Sequence, residues 1–324
     1  MLPTQLSNLR HKIKRRTSFL ISRLHLKKID HHVIPNNPDE VRLFTMMRNE
    51  ALRLPYFLDY YFNKGVDRIF IIDNGSTDDS LSIALQRDNV HVFRTFESFK
   101  NYSNWLEILL DKYGINHWCV AVDLDEIFFY PYAETKSIKD LIHSLEQKKD
   151  TAVRCVFLDM YSKQAIIKNT YKPHDNPLLT CPYFDSHIEK SEVYWTNQRT
   201  LKKYKVTRFL GNMRKRVFRT KVNLTKVPLF KYEKNTFVAR GVHAIDGARI
   251  SKIQGVVFHF KYLQDFNNRA IEEAERGEHE GGAISYKAYA KKVADNDKLN
   301  LYYKDSVKFE NSQQLIKLKL MSIE

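Results

Sequence analysis

Three carboxylates lie within four residues at Asp123, Asp125 and Glu126, directly after the apolar run Trp118–Val122. The run has the composition of a buried strand, and a protein core does not accept so much charge without partners. We therefore expect the acids at the carboxyl end of the strand, facing a crevice. Residues two apart in an extended chain point to the same side, so Asp123 and Asp125 present their carboxylates together. Such paired oxygen ligands suit Mg²⁺ or Mn²⁺ bound with substrate phosphates.

The same motif is compatible with a second chemistry. A strand followed by Asp-x-Asp also opens phosphatases of the haloacid-dehalogenase type, in which the first Asp, here Asp123, is the nucleophile. Those phosphatases carry Thr or Val two residues after the second Asp, near the beginning of the domain. This chain has Ile127 there, and the motif comes late. The phosphatase is kept as an alternative.

The chain before the motif alternates strands and helices. The pattern predicts strands at 41–47, 66–72, 90–93 and 118–122, and helices at 51–64, 79–86 and 103–113. This alternation predicts an α/β fold with a doubly wound, mostly parallel sheet flanked by helices. Ligands bind beyond the carboxyl ends of the strands in such sheets. Arg48–Glu50, Asp73–Asp78 and Asp123–Glu126 follow three of these strands, so we expect their polar groups at one edge.

Three segments, Met47–Glu50, Phe70–Asp78 and Val122–Glu126, together resemble glycosyltransferase family 2, in the bacterial subgroup related to family 92. The similarity covers about residues 41–290, with Ile127 in place of the subgroup's Phe. It implies a GT-A fold and an inverting, metal-dependent transfer from a nucleotide sugar, most simply a UDP-sugar. The implied acceptor is a cell-surface glycan, including a lipid-linked one.

The resemblance also implies roles for individual residues. Asp73 would hold the nucleobase, and Asp123 and Asp125 would bind Mn²⁺ or Mg²⁺ with the diphosphate. A late histidine often completes the metal shell in GT-A enzymes; His259 is our candidate and His243 the second choice, a core histidine being the alternative for both. The donor-binding candidates are Arg48, Asn49, Glu50, Asp73, Asn74, Asp123 and Arg214.

The acceptor side is less defined. A carboxylate that removes the acceptor proton could be Asp159, Asp185, Glu189 or Glu192, and we take Asp185 and Glu192 as candidates, although each could be a solvated acid. Residues 168–200 are predicted as loops. Later elements are predicted as strands at 238–243 and 254–261 and helices at 265–275 and 286–293. Arg214 lies in a basic segment that would clamp a diphosphate or an anionic acceptor, or form an exterior face.

The net charge of +15 is concentrated in two blocks. Residues 1–29 contain eight Lys or Arg and no acid, and residues 193–232 contain twelve and no acid. Such blocks indicate anionic partners. The first block, with its interspersed Leu, Ile and Phe, predicts an amphipathic helix on an anionic membrane, or else a helix packed on the main domain or a solvated tail. A nucleic-acid-binding protein is disfavoured because the acids at three strand ends would repel a phosphate backbone.

The remaining expectations concern organisation and location. We predict a basic extension at 1–40, a GT-A domain at 41–292 and a helical tail at 293–324. No stretch approaches the roughly 20 apolar residues that cross a bilayer, and no secretory signal is evident. Cys119, Cys155 and Cys181 are too few and too scattered for a disulfide framework or a zinc site. We therefore expect a cytoplasmic protein, peripheral on the inner face of the membrane.

Overall fold

A central sheet organises the chain in the computed structural model, which describes residues 2–220, 222–239, 241–296 and 298–324. The helices of the described chain are α1 Leu2–His25, α2 Leu54–Asn63, α3 Ser80–Leu85, α4 Tyr102–Tyr113, α5 Ile138–Gln147, α6 Pro177–Thr180, α7 Asn212–Phe218, α8 Phe266–Arg276, α9 Glu280–Asp295 and α10 Ser312–Lys317. No helix within these residues is both long and apolar enough to cross a membrane.

The strands of the described chain are, in chain order, β1 to β7 in the first half and β8 to β15 in the second. The first are β1 Lys27–Lys28, β2 Val41–Met47, β3 Arg68–Asp73, β4 Val90–Arg94, β5 Trp118–Ala121, β6 Glu126–Phe129 and β7 Ala152–Asp159. The later ones are β8 Tyr183–Phe184, β9 Ile188–Thr196, β10 Lys203–Gly211, β11 Thr225–Lys231, β12 Phe237–Ala239, β13 Ala244–Asp246, β14 Ile250–His259 and β15 Val307–Lys308.

Within the described residues the central sheet has nine strands in the order β1-β4-β3-β2-β5-β11-β7-β14-β6. Six of them, β2, β3, β4, β5, β7 and β14, run in one direction, while β1, β11 and β6 run against it. The chain builds outward from β2 through β3 to β4, then crosses to the other side of β2 for β5. This reversal of strand order leaves a crevice beyond the ends of β2 and β5.

Alternating apolar residues supply a core on each side of the sheet. Leu43 and Ile71 pack in a cluster with α2 and α5, whereas Phe44 and Phe70 pack in a second cluster with α4. Phe44 and Phe70 are themselves stacked, with ring centroids 4.9 Å apart. Because both faces are covered, the central strands are apolar on both sides, as expected for buried parallel strands. The prediction of an α/β sheet flanked by helices is confirmed.

Two predictions about the second half were wrong. The segment predicted as loops contains β9, which pairs with β10 as a two-stranded hairpin outside the central sheet. The strand predicted at 238–243 ends at Ala239 and turns back into β13. The hairpin buries little of its surface, so β9 lacks the continuous apolar run of a core strand.

The antiparallel strand β11 has no counterpart among the predicted strands. It contains Pro228, which disfavours a central strand. A shift of register between Lys226 and Leu229 in its pairing with β7 accommodates the proline. Lys226 lies at the edge of this irregularity, and its Nζ atom is 2.7 Å from Oε1 of Glu126 in the acidic motif.

Candidate functional site

A cavity of about 550 Å³ opens at the reversal of strand order, beyond the ends of β2 and β5. Its wall combines the end of β2, the loop after β5, the residues before α4 and the hairpin of α8 and α9. Its charged lining residues are Arg48, Glu50, Lys100, Asp123, Asp125, Lys226, Lys261, Arg269, Glu273, Arg276 and Glu278. Acids and bases therefore meet at the edge where the sequence predicted polar groups.

The acidic motif forms a tight turn between β5 and β6. The amide of Glu126 donates to the carbonyl of Asp123 at 3.0 Å, and the amide of Asp123 donates to the Glu126 carboxylate at 3.1 Å. One oxygen from each of Asp123, Asp125 and Glu126 lies within 4.8 Å of the others. The Asp123 side chain is 53 % exposed, whereas those of Asp125 and Glu126 are largely covered. The turn thus gathers three carboxylates and leaves Asp123 open to the cavity.

His259 lies beside this turn because of the sheet register. His259 is the last residue of β14. In the sheet it is paired with Glu126 of β6 on one side and with Asp159 of β7 on the other. Its Nδ1 atom is 2.6 Å from Asp159 Oδ1, and its Nε2 atom is 3.1 Å from Asp125 Oδ2. We assign the proton of Nδ1 to the Asp159 bond. The lone pair of Nε2 and the Asp125 oxygen then need a proton or a cation between them.

Asp159 is itself fixed from the opposite side. The guanidinium of Arg214 donates to it through Nε at 2.8 Å and Nη2 at 2.6 Å, and Asn212 Nδ2 adds a bond at 2.8 Å. Burial raises the pKa of the Asp159 carboxyl, but Arg214 and His259 lower it more, so the group stays ionised. A carboxylate that orients the far nitrogen of a histidine is the usual support of a metal-ligating imidazole.

Lys226 balances part of the acidic charge. Its Nζ atom is 2.7 Å from Glu126 Oε1 and 3.4 Å from Asp123 Oδ2. Burial lowers the pKa of Lys226, yet the carboxylates of Asp123 and Glu126 raise it above its ordinary value. The Asp125 carboxyl is also buried, which raises its pKa, but His259 and Lys261 hold that pKa well below the usual range. Glu126 is thus committed to Lys226, while Asp125 is ionised.

The donor set that remains fits a divalent cation. Asp123 and Asp125 offer carboxylate oxygens, and His259 offers Nε2, already aimed at Asp125. Two carboxylates and an imidazole leave room for further oxygen ligands from a substrate, as Mn²⁺ or Mg²⁺ prefers. His243 also lines the cavity, but its Nδ1 atom is bound to the backbone oxygen of Thr225 at 2.6 Å.

Asp73 has a different environment from the other acids of this edge. Its side chain is completely buried, Arg94 Nε lies 3.0 Å from Oδ2, and the amide of Ser76 donates to Oδ1 at 2.9 Å. The neighbouring Asn74 is buried and donates to the backbone of Glu97 at 3.0 Å. In this conformation neither side chain reaches the cavity, and both hold the loop after β3 in place.

The three residues after β2 are divided between the cavity and the loops. Arg48 and Glu50 line the cavity, and Glu50 is ion-paired with Arg269 of α8. Asn49 instead accepts the amide of Thr77 at 2.8 Å and joins the loops that follow β2 and β3. Arg214, predicted to clamp a diphosphate or an anionic acceptor, is buried against Asp159 at 2.6 Å and does not line the cavity.

The two candidate bases lie away from the cavity. Asp185 is buried, accepts a hydrogen bond from Tyr161 and is ion-paired with Arg216 at 2.9 Å. Glu192 is exposed on β9 and ion-paired with Lys205 at 2.5 Å. Neither carboxylate lines the cavity, so the geometry gives no support to either as a base.

Searches of protein-family models and of curated proteins gave no match for this chain. The site is therefore interpreted from its own geometry.

Several site residues escaped the sequence analysis. Lys226 belongs to the basic segment predicted to clamp a diphosphate or an anionic acceptor, but its contact with the acidic turn was not predicted, and no local pattern distinguishes Lys261. Lys261 does follow His259 by two residues, and an extended chain places such a pair on one side; that spacing was an available signal. Glu273 and Glu278 approach the cavity only because the hairpin of α8 and α9 folds over it.

Proposed function

We propose that the protein is a metal-dependent glycosyltransferase with a GT-A-type fold. It would move a sugar from a nucleotide sugar, most simply a UDP-sugar, to a glycan or lipid-linked glycan acceptor, with inversion as the family resemblance implies. The observation that carries the proposal is that Asp123 and Asp125 line one corner of the cavity and bring carboxylate oxygens together there, with His259 Nε2 3.1 Å from Asp125 Oδ2 behind them. A divalent cation held by these residues would neutralise the departing nucleoside diphosphate.

The charges of the cavity suit a diphosphate. Glu50 is paired with Arg269, and Glu273 and Glu278 are both paired with Arg276. In addition to these ion-paired residues, the cationic side chains of Arg48, Lys100 and Lys261 line the cavity. A substrate with two phosphates would therefore meet cations in the same cavity as the carboxylate corner.

An aromatic wall offers a surface for a nucleobase. Phe99 and Tyr102 are stacked at 5.4 Å, and Phe99, His279 and Tyr286 continue the row at 4.9 and 4.4 Å between successive ring centroids. All four side chains line the cavity. Aromatic faces bind planar bases by stacking, so this wall offers a site for the base that does not require Asp73, whose side chain does not reach the cavity.

In the reaction, an acceptor hydroxyl oxygen forms a bond to the anomeric carbon as the bond from that carbon to the diphosphate oxygen breaks. The hydroxyl proton passes to a carboxylate of the chain, and the electron pair of the broken bond leaves with the diphosphate. Lys226 and Lys261 stabilise the negative charge that develops there. Among the described residues outside the metal corner, Glu50, Glu273 and Glu278 are the acids that line the cavity, and they replace Asp185 and Glu192 as candidates for the base.

Calorimetric titration with UDP, GDP, CMP and their sugars, with and without Mn²⁺, tests the proposal. We expect one nucleotide to bind more tightly when Mn²⁺ is present, and Asp125→Asn to remove the metal-dependent part. Asp88→Asn is the matched control because that carboxylate is fully exposed. Absence of nucleotide binding under all conditions would overturn the proposal, and a beryllofluoride adduct on Asp123 would then favour the phosphatase.

A further inference from the structure

One face of α1 is docked on the body of the protein. Arg15 forms an ion pair with Glu107 of α4 at 2.5 Å. Asn104, also on α4, donates to Ser18 Oγ at 2.9 Å and to Ser22 Oγ at 3.4 Å. Phe19 packs against the apolar cluster under α4. These contacts fix the rotation of the helix, and therefore which side chains point outward.

The outward face carries an apolar stripe. Ile13, Leu20 and Leu24 are 56 %, 49 % and 67 % exposed. With 3.6 residues per turn, positions 13, 20 and 24 fall in one line along the helix, opposite Arg15, Ser18 and Ser22. Three large aliphatic side chains in a row are thus presented to the surroundings.

Cations border this stripe on both sides. Arg15 and Lys28 are engaged with Glu107 and Asp30. The other six basic residues of the segment are exposed: Arg10, Lys12, Lys14, Arg16, Arg23 and Lys27. By helical rotation, Lys12, Arg16 and Arg23 lie along one border of the stripe, and Arg10 and Lys14 along the other. An apolar strip between two basic borders is the pattern of helices that lie in a lipid interface.

We propose that this face of α1 docks on an anionic lipid surface. The aliphatic stripe enters the boundary between headgroups and acyl chains, while the flanking cations attract anionic headgroups. The stripe distinguishes lipid from nucleic acid, since a phosphate backbone would engage the cations and leave the aliphatic side chains in water. A second copy of the same face is disfavoured because it would bring two basic surfaces together.

The docked face connects the lipid surface to the cavity. Ser18 and Ser22 contact Asn104 in the first turn of α4, and Tyr102 at the start of that helix lines the cavity together with Lys100. An acceptor held in the membrane would therefore approach the cavity from the side of α1. The lipid proposal itself does not depend on the proposed function, because vesicle binding is measured without donor or acceptor.

Sedimentation of the full chain with vesicles tests the proposal. The probes are phosphatidylcholine vesicles and vesicles of equimolar phosphatidylcholine and phosphatidylglycerol. We expect the protein to pellet with the anionic vesicles alone and to be released by salt. The variant Ile13→Ser/Leu20→Ser/Leu24→Ser should weaken the partition coefficient by at least about tenfold, because three exposed aliphatic groups are lost.

A matched control removes comparable apolar surface elsewhere. Val33, Leu179 and Ile323 are 82 %, 82 % and 44 % exposed, and their triple change to Ser should leave vesicle binding unchanged. Lys12→Gln/Arg16→Gln/Arg23→Gln should lower the partition coefficient at least about tenfold and reduce its dependence on salt. Thermal unfolding of each variant shows that the fold is intact.

Three outcomes would overturn the proposal. The full chain would fail to pellet with anionic vesicles, or would pellet equally with neutral ones, or the aliphatic variant would bind as tightly as the unaltered chain. A chain that ignores vesicles but retards a DNA duplex through the same cations would assign the face to nucleic acid instead.

Discussion

Asp73 and Asp123 lie at the same edge of the central sheet, but one side chain is buried and the other is exposed to the cavity. Asp73 ends β3, is completely buried and is bound by Arg94 and Ser76. Asp123 follows β5, is half exposed and opens into a cavity. Sheet topology brings an acid to the edge in both cases. Whether its charge is available to a ligand is decided by the partner that the adjoining strand supplies.

The adjoining strands explain the contrast. β4 pairs with β3 so that Arg94 lies opposite Asp73, and the counter-ion is built into the ladder. β5 has β11 as its neighbour, and the lysine that β11 supplies, Lys226, is closer to Glu126 than to Asp123. The acidic turn after β5 therefore keeps carboxylate oxygens in excess of its own cations.

The largest expected effect is that of Asp125→Asn. The amide keeps the shape of the side chain but removes the charge facing His259, so turnover should fall by at least about 100-fold with little change in unfolding. Initial rates at saturating Mn²⁺ measure this, with Asp88→Asn as the control. Turnover that depends normally on Mn²⁺ in this variant would mean that Asp125 is not a metal ligand.

His259→Gln separates the two histidines of the site. Loss of the imidazole that Asp159 orients should weaken Mn²⁺ binding by at least about tenfold. His243→Gln serves as the comparison, because His243 lines the cavity without the contact to Asp125 that His259 makes at 3.1 Å. Paramagnetic relaxation of water by Mn²⁺ reports both affinities. A larger loss in the His243 variant would reverse the assignment.

Asp73→Asn tests whether the buried carboxylate of Asp73 stabilises the fold or binds the nucleotide. Arg94 would lose the charge opposite it in the ladder, so the free energy of unfolding should fall by about 2 kcal/mol, measured by urea denaturation. Nucleotide binding gives a second readout. If Asp73 holds the base, its variant weakens UDP binding with and without Mn²⁺, whereas Asp125→Asn weakens it only with Mn²⁺. Equal responses to metal would show that the two roles are assigned wrongly.

The last prediction extends the comparison to a buried histidine of β4. Burial lowers the pKa of His91 from 6.5 to about 4, and its ring lies between Asp30 and Arg68. Between these two pH values the unfolded chain binds the extra proton, so stability should fall by about 1 kcal/mol per pH unit as the pH decreases through the window. Urea denaturation from pH 7 to 4 measures the slope. His91→Gln should flatten it, and exposed His143→Gln should not.

The sequence predicts the β2–β5 half of the sheet well because each strand there is a local apolar run ended by polar residues. The position of His259 beside the acidic motif was predicted from the family resemblance and not from a local pattern, and its Nε2 atom lies 3.1 Å from Asp125 Oδ2. The sequence does not predict Arg94 beside Asp73, or Lys226 beside Glu126, because these partners are set by strand pairing between distant segments. The strand β11 is not predicted either, because Pro228 disfavours a central strand and the register shift that accommodates it forms in the pairing with β7.

The short strand β1 makes the beginning of the chain a structural part of the sheet. It covers the outer edge of β4, and just beyond it Asp30 accepts the amide of Val92 at 2.8 Å. A version of the protein shortened by its first 30 residues would lose this cover and present a bare strand edge, which is a site of aggregation. Shortened proteins of this kind should therefore precipitate for reasons unrelated to lipid. Substitutions on the outer face of α1 leave the edge protected, and are the sounder route to a chain that stays in solution.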